Sequence, residues 1–314
     1  MAAPTTASAT LLLPARARFG AQALTPEVAR PLGRADRQAR EAGERAQLER
    51  HFDMLPRGWP VAALTRAFDA DDAPLSTWLR ADPAYVRPDI NGARLLASGD
   101  ALQLDVVEAE AFIAALRPTF GDAGMPIDAP RPARWYLRLP REAKIAPMTA
   151  PSEALGGDLF EHLPDGPEGR RWRALLSEAQ VLLHQHPMNA ERMAAGKPPV
   201  NSLWFWGGGV LPDHVTTNHA IVHSNEITVR ALAQVAGSHG EDLPTRFAGT
   251  GLFDLREMRD LRQLCDLWLD PAFDAVRDGV LASVHVDCED GTDWTLLRPQ
   301  RWRFWRKPHG AFDA

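Results

Sequence analysis

Residues 186 to 212 read HPMNAERMAAGKPPVNSLWFWGGGVLP, and this stretch decides the predicted fold. Leu203 to Trp206 is an uninterrupted apolar run of strand length, as expected of a strand that is covered on both faces. Gly207, Gly208 and Gly209 follow it at once and leave the backbone without side chains. The stretch therefore predicts one buried strand of an α/β fold, followed by a glycine loop.

The same stretch contains the candidate residues for ligand binding. Ligands of open α/β sheets collect beyond the carboxyl ends of the strands, and bare amide groups in a loop hold anions. The candidate ligand-binding residues are His186, Asn189, Arg192, Asn201, Trp204, Trp206, Gly207, Gly208 and Gly209. The alternative is that the glycines only permit a tight turn beside the bulky Trp204 and Trp206.

Helices are predicted before this strand. Apolar residues recur at helical spacing from Trp172 to His186 and form one stripe, with His186 on its buried edge. Composition and punctuation predict one or two helices between Glu27 and about Met54, and another from about Pro60 to Phe68. Val106 to Phe120 is also helix-like, with Glu108 in its first turn, where the helix dipole favours an acid. These segments are interpreted as covering helices.

Strands are predicted towards both ends of the chain. Thr10 to Pro14 reads as a short strand that a proline closes. Leu281 to Val286 and Trp294 to Leu297 flank Asp290-Gly291, a strong hairpin signal. Residues 301 to 306 alternate between basic and aromatic side chains, which favours a last strand.

The fold class that follows is α/β, with a mixed sheet covered by helices. Residues 1–8 are small and polar and are predicted to be a flexible N-terminus. Residues 9–314 then form one α/β unit. Short β-like runs flank the Val106 helix, which predicts a small inserted α+β module at about 84–140.

Composition excludes several classes of function. The 314 residues include 35 basic and 41 acidic side chains, for a net charge of −6, and no basic stripe offsets this balance, so no nucleic-acid partner is expected. No apolar run approaches the length of a membrane span. Cys265 and Cys288 are too few for a disulfide framework, and a cytoplasmic location is the simplest prediction.

Histidines and one serine suggest weaker alternatives. His219 and His223 are one helical turn apart and, with His214, form a candidate metal site, but Ala220 stands where a metalloprotease helix has its glutamate. Capping and core hydrogen bonds are the competing interpretation. Ser238 lies in a motif like a nucleophile elbow, although Gly237 is better explained as a helix C-cap. No catalytic residue is assigned.

Several motifs resemble known families. His186-Pro-Met-Asn189, the following Arg192, the G-x-x-P-x-N pattern ending at Asn201 and a strand ending in G-x-G resemble a segment of archaeal-type cofactor-independent phosphoglycerate mutases. The chain is also similar, from Leu11 to Pro308, to the RpfE-type regulatory proteins of proteobacteria. The segments that carry this similarity are Arg134-Trp-Tyr-Leu137, Leu163-Pro-Asp-Gly166, Glu178-Ala-Gln180, His186-Pro-Met-Asn189, Asn201-Ser-Leu-Trp-Phe-Trp-Gly-Gly-Gly209 and Phe304-Trp-Arg306. The resemblance implies a cytoplasmic protein with a fold derived from the alkaline-phosphatase superfamily.

The resemblance also implies what this chain lacks. Active members of that superfamily hold two metals with Asp and His ligands, and a Ser or Thr accepts the phosphoryl group. Here the first strand reads Thr-Leu-Leu-Leu-Pro where active enzymes place Asp-Gly, and no late D-x-D-x-x-x-H segment follows. The expected function is that of a non-catalytic regulatory protein without a cofactor, which binds a small phosphorylated or carboxylated ligand or a protein partner. The alternative is a divergent phosphoglycerate mutase or metal-dependent phosphatase.

Overall fold

The computed structural model describes residues 7–89, 92–162, 164, 166–310 and 312. Most of the predicted flexible N-terminus, 1–8, lies outside these residues. In chain order the strands are β1 (Ser8–Leu13), β2 (Asp36–Ala39), β3 (Asp53–Leu55), β4 (Thr77–Asp89), β5 (Gly92–Ser98), β6 (Ile127–Arg131), β7 (Arg134–Leu139), β8 (Ser202–Gly209), β9 (His214–Thr216), β10 (Ile221–His223), β11 (His239–Glu241), β12 (Gly251–Asp254), β13 (Ser283–Cys288) and β14 (Thr292–Leu297).

The helices cover and connect these strands. In chain order they are α1 (Pro26–Arg34), α2 (Glu44–Glu49), α3 (Val61–Asp69), α4 (Val106–Asp122), α5 (Pro151–Ala154), α6 (Gly166–His184), α7 (Met188–Ala194), α8 (Ile227–Val235), α9 (Leu261–Leu264) and α10 (Asp270–Arg277). Short 3-10 helices span Arg16–Phe19, Ala73–Leu75, Gly99–Leu102, Leu159–His162 and Arg298–Trp302, and a π-helical turn spans Cys265–Leu269. Among the described residues, no helix is both long and apolar enough to cross a membrane.

The chain divides into two compact units. The first consists of Met1–Leu55 and His214–Ala314, and the second of Pro56–Asp213. The predicted inserted module, about 84–140, lies inside the second unit. Each unit has its own apolar core, because the two large clusters of buried side chains fall in different units.

A mixed sheet forms the first unit. Within the described residues its strand order is β11-β10-β12-β1-β13-β14-β2. β1 pairs in parallel with β12 and β13, whereas β14 is antiparallel to both β13 and β2. Leu11, Leu12 and Leu13 are fully buried, as their uninterrupted run requires of a central strand. The predicted α/β class, the first strand and the late hairpin are confirmed.

The second unit contains an antiparallel sheet. The long strand β4 pairs with β5, β7 and β8, and β7 also pairs with β6. The predicted helix at Val106 is confirmed as α4, which begins with a capping box. Asp105 accepts a hydrogen bond from the backbone N–H of Glu108, and Glu108 accepts one from that of Asp105. Helices α4 and α6 contact each other, and side chains of both enter the core of this unit.

Two predicted segments were wrong. The interval between Glu27 and Met54 holds α1 and α2 but also the strands β2 and β3, which have no apolar pattern of their own. Residues 301 to 306 are not a strand, since a 3-10 helix ends there and irregular chain follows. Trp302, Phe304 and Trp305 are 59%, 67% and 77% exposed, so their alternation does not mark a buried face.

Candidate functional site

The predicted glycine loop after Trp206 was wrong, because all three glycines belong to β8. This strand is covered on both faces as expected. It runs antiparallel to β4, a direction that the apolar run could not predict because burial does not depend on strand direction. A Cβ on Gly207 would lie 3.0 Å from the Cβ of Val61 in α3, and one on Gly209 would lie 2.7 Å from the Cβ of Pro60. The glycines therefore let β8 pass close beneath the start of α3.

The polar candidates of this stretch make internal hydrogen bonds. Asn189 donates to the carbonyls of Leu183 and Val200 and accepts from the N–H of Val200. The amide of Asn201 accepts from the N–H of Val86 and donates to its carbonyl, as a neighbouring strand would. These amides join segments of the second unit and do not face an open loop.

Arg192 is fully buried and joins three segments. Its guanidinium group contacts Glu108 of α4 at 2.6 Å, the carbonyl of Leu102 at 2.6 Å and the carbonyl of Pro198 at 2.8 Å. Lys197 also contacts Glu108, at 3.1 Å, from a more exposed position. Both roles are structural, which agrees with the interpretation of Glu108 as a helix-start acid.

The aromatic candidates are anchored in the same way. The indole of Trp204 donates to the carbonyl of Thr149, and that of Trp206 donates to Asp82 at 2.7 Å. His186 is half-buried, with its ring 4.8 Å from the ring of Phe112. Ligand binding by this stretch stays a prediction, and it would have to break contacts that already satisfy these side chains.

Replacing Gly207 tests the close approach of β8 to α3. Gly207 has φ +66°, so Gly207→Ala is expected to lower the free energy of unfolding by about 2–4 kcal/mol, through left-handed backbone strain and overpacking. Gly196→Ala is the matched control, because Gly196 has φ +75° but no atom within 4 Å of its added methyl group. We expect the control to cost about 1 kcal/mol in urea unfolding. Equal losses would show that the contact with Val61 is unimportant.

The three candidate metal-binding histidines are placed differently from one another. His214 is exposed on β9, His219 lies with its ring 5.3 Å from that of His51, and His223 stacks on Phe253 at 4.7 Å. Within the described part of the chain, no three His, Cys, Asp or Glu side chains are grouped so that they would hold a metal ion. Gly237, with φ +71°, follows α8 as the predicted C-cap, and Ser238 donates to the carbonyl of His219.

The carboxyl ends of the parallel strands in the first unit carry a different set of charged residues. Asp254 ends β12 and accepts a hydrogen bond from Ser224, the residue after β10, at 2.8 Å. Arg256 donates to both oxygens of Asp254, at 2.7 and 2.8 Å, and reaches Glu44 at 3.1 Å. Glu226 lies 3.8 Å from Arg256 and caps the start of α8. These five residues are the Asp254 cluster.

A second group lies near the end of β13. Asp287 is 3% exposed and accepts two hydrogen bonds from Arg50, at 2.6 and 2.9 Å. The Nε2 atom of His51 lies 2.9 Å from Asp287, and its Nδ1 atom lies 3.3 Å from Nε2 of His219. Because the ionised Asp287 only accepts, His51 donates to it from Nε2, and its Nδ1 then accepts from the N–H of His219. These four residues are the Asp287 cluster.

A cavity of about 280 Å³ opens beside the Asp287 cluster. Its lining residues are Arg40, Arg50, His51, His285, Asp287 and Asp293. The ring nitrogens of His285 lie within hydrogen-bonding distance of Thr295 and Ser283. Arg40 pairs loosely with Asp293, at 3.4 Å. Apart from His285, the lining groups therefore form hydrogen bonds or ion pairs with one another.

Helix α2 positions both clusters. Glu44, Gln47 and His51 are three and four residues apart, a spacing that puts them on one side of a helix and its last turn. Glu44 reaches Arg256, and the buried amide of Gln47 donates to the carbonyls of Leu13 and Asp287. The helix therefore lies over the carboxyl ends of β1, β12 and β13, with Glu44 of the Asp254 cluster at its start and Arg50 and His51 of the Asp287 cluster directly after its end.

The protein sets the charge states of these groups. Burial opposes the charge on Asp254, but the hydrogen bonds from Arg256 outweigh it, so the pKa of Asp254 lies below its usual value. Burial likewise opposes the charge on Asp287, and the hydrogen bonds from His51 and Arg50 lower its pKa. Burial, aided by His51 and His285, lowers the pKa of His219 to about 4. At pH 7 both clusters hold ionised aspartates, and His219 is neutral.

The pKa of His219 predicts a loss of stability on mild acidification. Its folded pKa of about 4 lies below the value of 6.5 for a free imidazole, so the unfolded chain binds more protons between these values. Lowering the pH from 7 to 5 should cost about 1–2 kcal/mol through this residue. The lowered pKa values of Asp254 and Asp287 act in the same direction only at lower pH, near the unfolded value of about 4.

Urea unfolding of the wild type and of His219→Gln at pH 7 and pH 5 measures this effect. The variant should lose about 1–2 kcal/mol less than the wild type on acidification. His214→Gln is the control, because His214 is exposed. A variant with the same pH dependence as the wild type would contradict the lowered pKa of His219.

The two-metal centre that the resemblance implies for active relatives does not fit these side chains. The strand-end aspartates, Asp254 and Asp287, already accept paired hydrogen bonds from Arg256 and Arg50. A metal would have to displace a guanidinium group that is attached to the same chain, and would leave that cation without its partner. The positive charge at these strand ends is supplied by arginine.

No sequence motif marks the residues of these clusters as a site. Asp287 is buried close to the predicted hairpin turn, and Asp254, Arg256, Arg50 and His51 belong to no recognised motif. A usable signal existed, since Leu252-Phe253-Asp254 and Val286-Asp287 each put an acid at the end of an apolar strand. Such positions meet at one edge of a parallel sheet.

Comparisons with known proteins give sequence matches to phosphoglycerate mutases. No family model matches the chain. A 2,3-bisphosphoglycerate-independent phosphoglycerate mutase of Methanosarcina barkeri is 39% identical over 64 residues, which are 20% of this chain and 16% of that protein. The corresponding protein of Methanosarcina mazei is 27% identical over 144 residues, 45% of this chain and 34% of that protein. The aligned segments thus span about a third or less of these curated relatives.

A solved structure is similar over more of the chain. The cofactor-independent phosphoglycerate mutase from Thermoplasma acidophilum aligns with 93% of this chain and 89% of its own, at a TM-score of 0.45 and 15% identity. The sequence matches make the chain a distant relative of the archaeal-type cofactor-independent phosphoglycerate mutases.

Proposed function

We propose, from this distant relationship, that the chain is a phosphoglycerate-mutase-like protein that has lost metal-dependent phosphoryl transfer and acts by binding. One observation supports the proposal. Both aspartates at the strand ends, Asp254 and Asp287, are neutralised by arginine side chains of the same unit.

The chemistry of phosphoryl transfer explains why this pairing matters. Paired metal ions stabilise the attacking and the leaving oxygen during an in-line displacement, and carboxylates hold such ions with their free lone pairs. In this chain those lone pairs face the N–H groups of Arg256 and Arg50. A guanidinium group that is paired with an aspartate of the same chain holds that aspartate in place but supplies neither the Lewis-acid site nor the bound water of a metal ion.

A regulatory role is part of the same proposal and rests on the resemblance to RpfE-type proteins. The protein would bind either a small phosphorylated or carboxylated ligand or a protein partner. The proposal does not depend on the stretch from His186 to Gly209, whose polar side chains make the internal hydrogen bonds described above.

The test is metal retention combined with turnover. The full chain is incubated with Mn²⁺ or Zn²⁺ and desalted, bound metal is measured by mass spectrometry, and conversion of 3-phosphoglycerate is followed by phosphorus NMR. We expect no stoichiometric metal and no conversion. Retention of one or two ions with turnover would reject the proposal. If replacing His214, His219 and His223 by alanine then abolished both, the divergent mutase or phosphatase would be supported instead.

A further inference from the structure

A second cavity, of about 360 Å³, lies in the first unit between α1, α10 and the chain that follows β14. It lies among the helices that cover one face of the sheet, where Leu11, Val284 and Val286 are packed. Asp287 is on the opposite face, because side chains alternate along β13. Its lining residues are Glu27, Arg30, Pro31, Arg34, Asp270, Phe273, Asp274, Val276, Arg277, Leu296, Leu297, Arg298 and Arg301. We call it the dipolar groove.

The two helices give the groove an acidic end. β1 and β13 are parallel strands, α1 follows β1, and α10 precedes β13. Both helices therefore run antiparallel to these strands and parallel to each other. Glu27 is in the first turn of α1, and Asp270 begins α10. Glu27, Asp270 and Asp274 line the same cavity. Burial and the neighbouring carboxylates of Asp274 and Glu27 raise the pKa of Asp270.

Arginines form the opposite end. Arg34 is the last residue of α1, and it donates to the carbonyl of Arg301 at 3.0 Å. Arg298 lies beside Gly279, which is just beyond the end of α10. A Cβ atom added to Gly279 would lie 3.0 Å from the guanidinium group of Arg298. The groove therefore changes from negative to positive along the helices.

Several of these charged side chains form no ion pair within the described ranges. Glu27, Asp270, Arg30 and Arg298 form no ion pair with any other residue that the structure describes, whereas Arg277 pairs with Asp274 at 2.5 Å. Carboxylates and guanidinium groups left unpaired in a concave site are available to a ligand. Between them, the buried side chains of Phe273, Val276 and Leu296 form an apolar floor.

We propose that the dipolar groove binds a short peptide with free ends. The N-terminal ammonium group pairs with the acids around Asp270, the carboxylate pairs with Arg298, and a central apolar side chain contacts the floor. The lengths agree, since the helix from Glu27 to Arg34 spans about 10 Å and an extended tripeptide also spans about 10 Å. A cavity of this size also lies in the range of small-ligand sites.

The inference is independent of the loss of metal chemistry and has its own test. Isothermal titration calorimetry of the full chain with Ala-Leu-Ala should show saturable binding. N-acetylation or C-terminal amidation of the peptide should each weaken binding about fivefold, the loss typical of one partly exposed ion pair. Added salt should weaken binding of the free peptide most.

Variants assign each end of the peptide. Asp270→Asn should weaken binding of the free peptide about fivefold and leave binding of the N-acetylated peptide unchanged. Arg298→Gln should likewise weaken binding of the free peptide about fivefold and leave binding of the amidated peptide unchanged. Asp278→Asn and Arg262→Gln are matched controls, because these exposed residues lie outside the lining. Equal affinity of all three peptides, or no saturable binding of Ala-Leu-Ala, would overturn the proposal.

Discussion

Arg192→Ala is expected to lower the free energy of unfolding by about 3–5 kcal/mol. The side chain is fully buried, and its removal leaves Glu108 with only Lys197 as a charged partner and leaves the carbonyls of Leu102 and Pro198 without their donor. A buried acceptor without a donor costs its full desolvation energy. The midpoint and slope of urea unfolding, followed by circular dichroism, measure this loss.

Lys197→Ala is the matched control for Arg192. It removes the other cation from the same Glu108, but the lysine side chain is 30% exposed, so a loss below about 1 kcal/mol is expected. The comparison also separates two roles of Arg192. If Arg192 served only to bind a ligand, its replacement would leave the stability of the ligand-free protein unchanged or raise it. A large loss of stability without any ligand therefore supports the structural role.

Arg256→Leu is expected to have an effect of similar size, about 3–5 kcal/mol, in the first unit. Asp254 is 7% exposed, and without the guanidinium group it keeps only Ser224 and backbone contacts. An ionised carboxylate that loses its counter-charge in such a position must either stay charged at high cost or take up a proton. Thermal and urea unfolding at pH 7 both report the loss.

A second substitution makes this prediction specific. Asp254→Asn in the Arg256→Leu background removes the uncompensated charge, and most of the lost stability should return. Arg262→Leu serves as the surface control, because its side chain is 73% exposed and an exposed ion pair such as that with Asp266 contributes little to stability. If the double variant were as unstable as Arg256→Leu, the cost would come from lost packing of the arginine and not from the charge of Asp254.

Local patterns predicted the elements that depend on local physics. Asp290-Gly291 predicted the hairpin of β13 and β14, and Gly291 does adopt φ +82°. The acid in the first turn of α4 is part of its capping box. These features depend on residues a few positions apart, and the same is true of the long apolar stripe that became α6.

Features that depend on distant partners were missed. β2 has mostly exposed side chains and exists as a strand because it pairs with β14, more than two hundred residues later. The three glycines of β8 read as a loop, since only the position of α3 shows why side chains are excluded there. The two clusters at the strand ends were missed for the same reason, because Asp254 and Asp287 acquire meaning only when the parallel strands are aligned.

The central position of β1 in the sheet means that this strand is synthesised long before both of the strands that pair with it. Ala9 pairs with Gly251 on one side and with Val284 on the other, so both neighbours of this strand leave the ribosome long after it does. At about 5–20 residues per second, the delay is on the order of tens of seconds. Residues 56–213 are contiguous and can fold during this delay, whereas the three leucines of β1 remain exposed until their neighbouring strands are made. Exposed apolar strands with unpaired edges favour aggregation, so we expect a nascent chain released before β12 and β13 emerge to be more prone to aggregate than the complete chain.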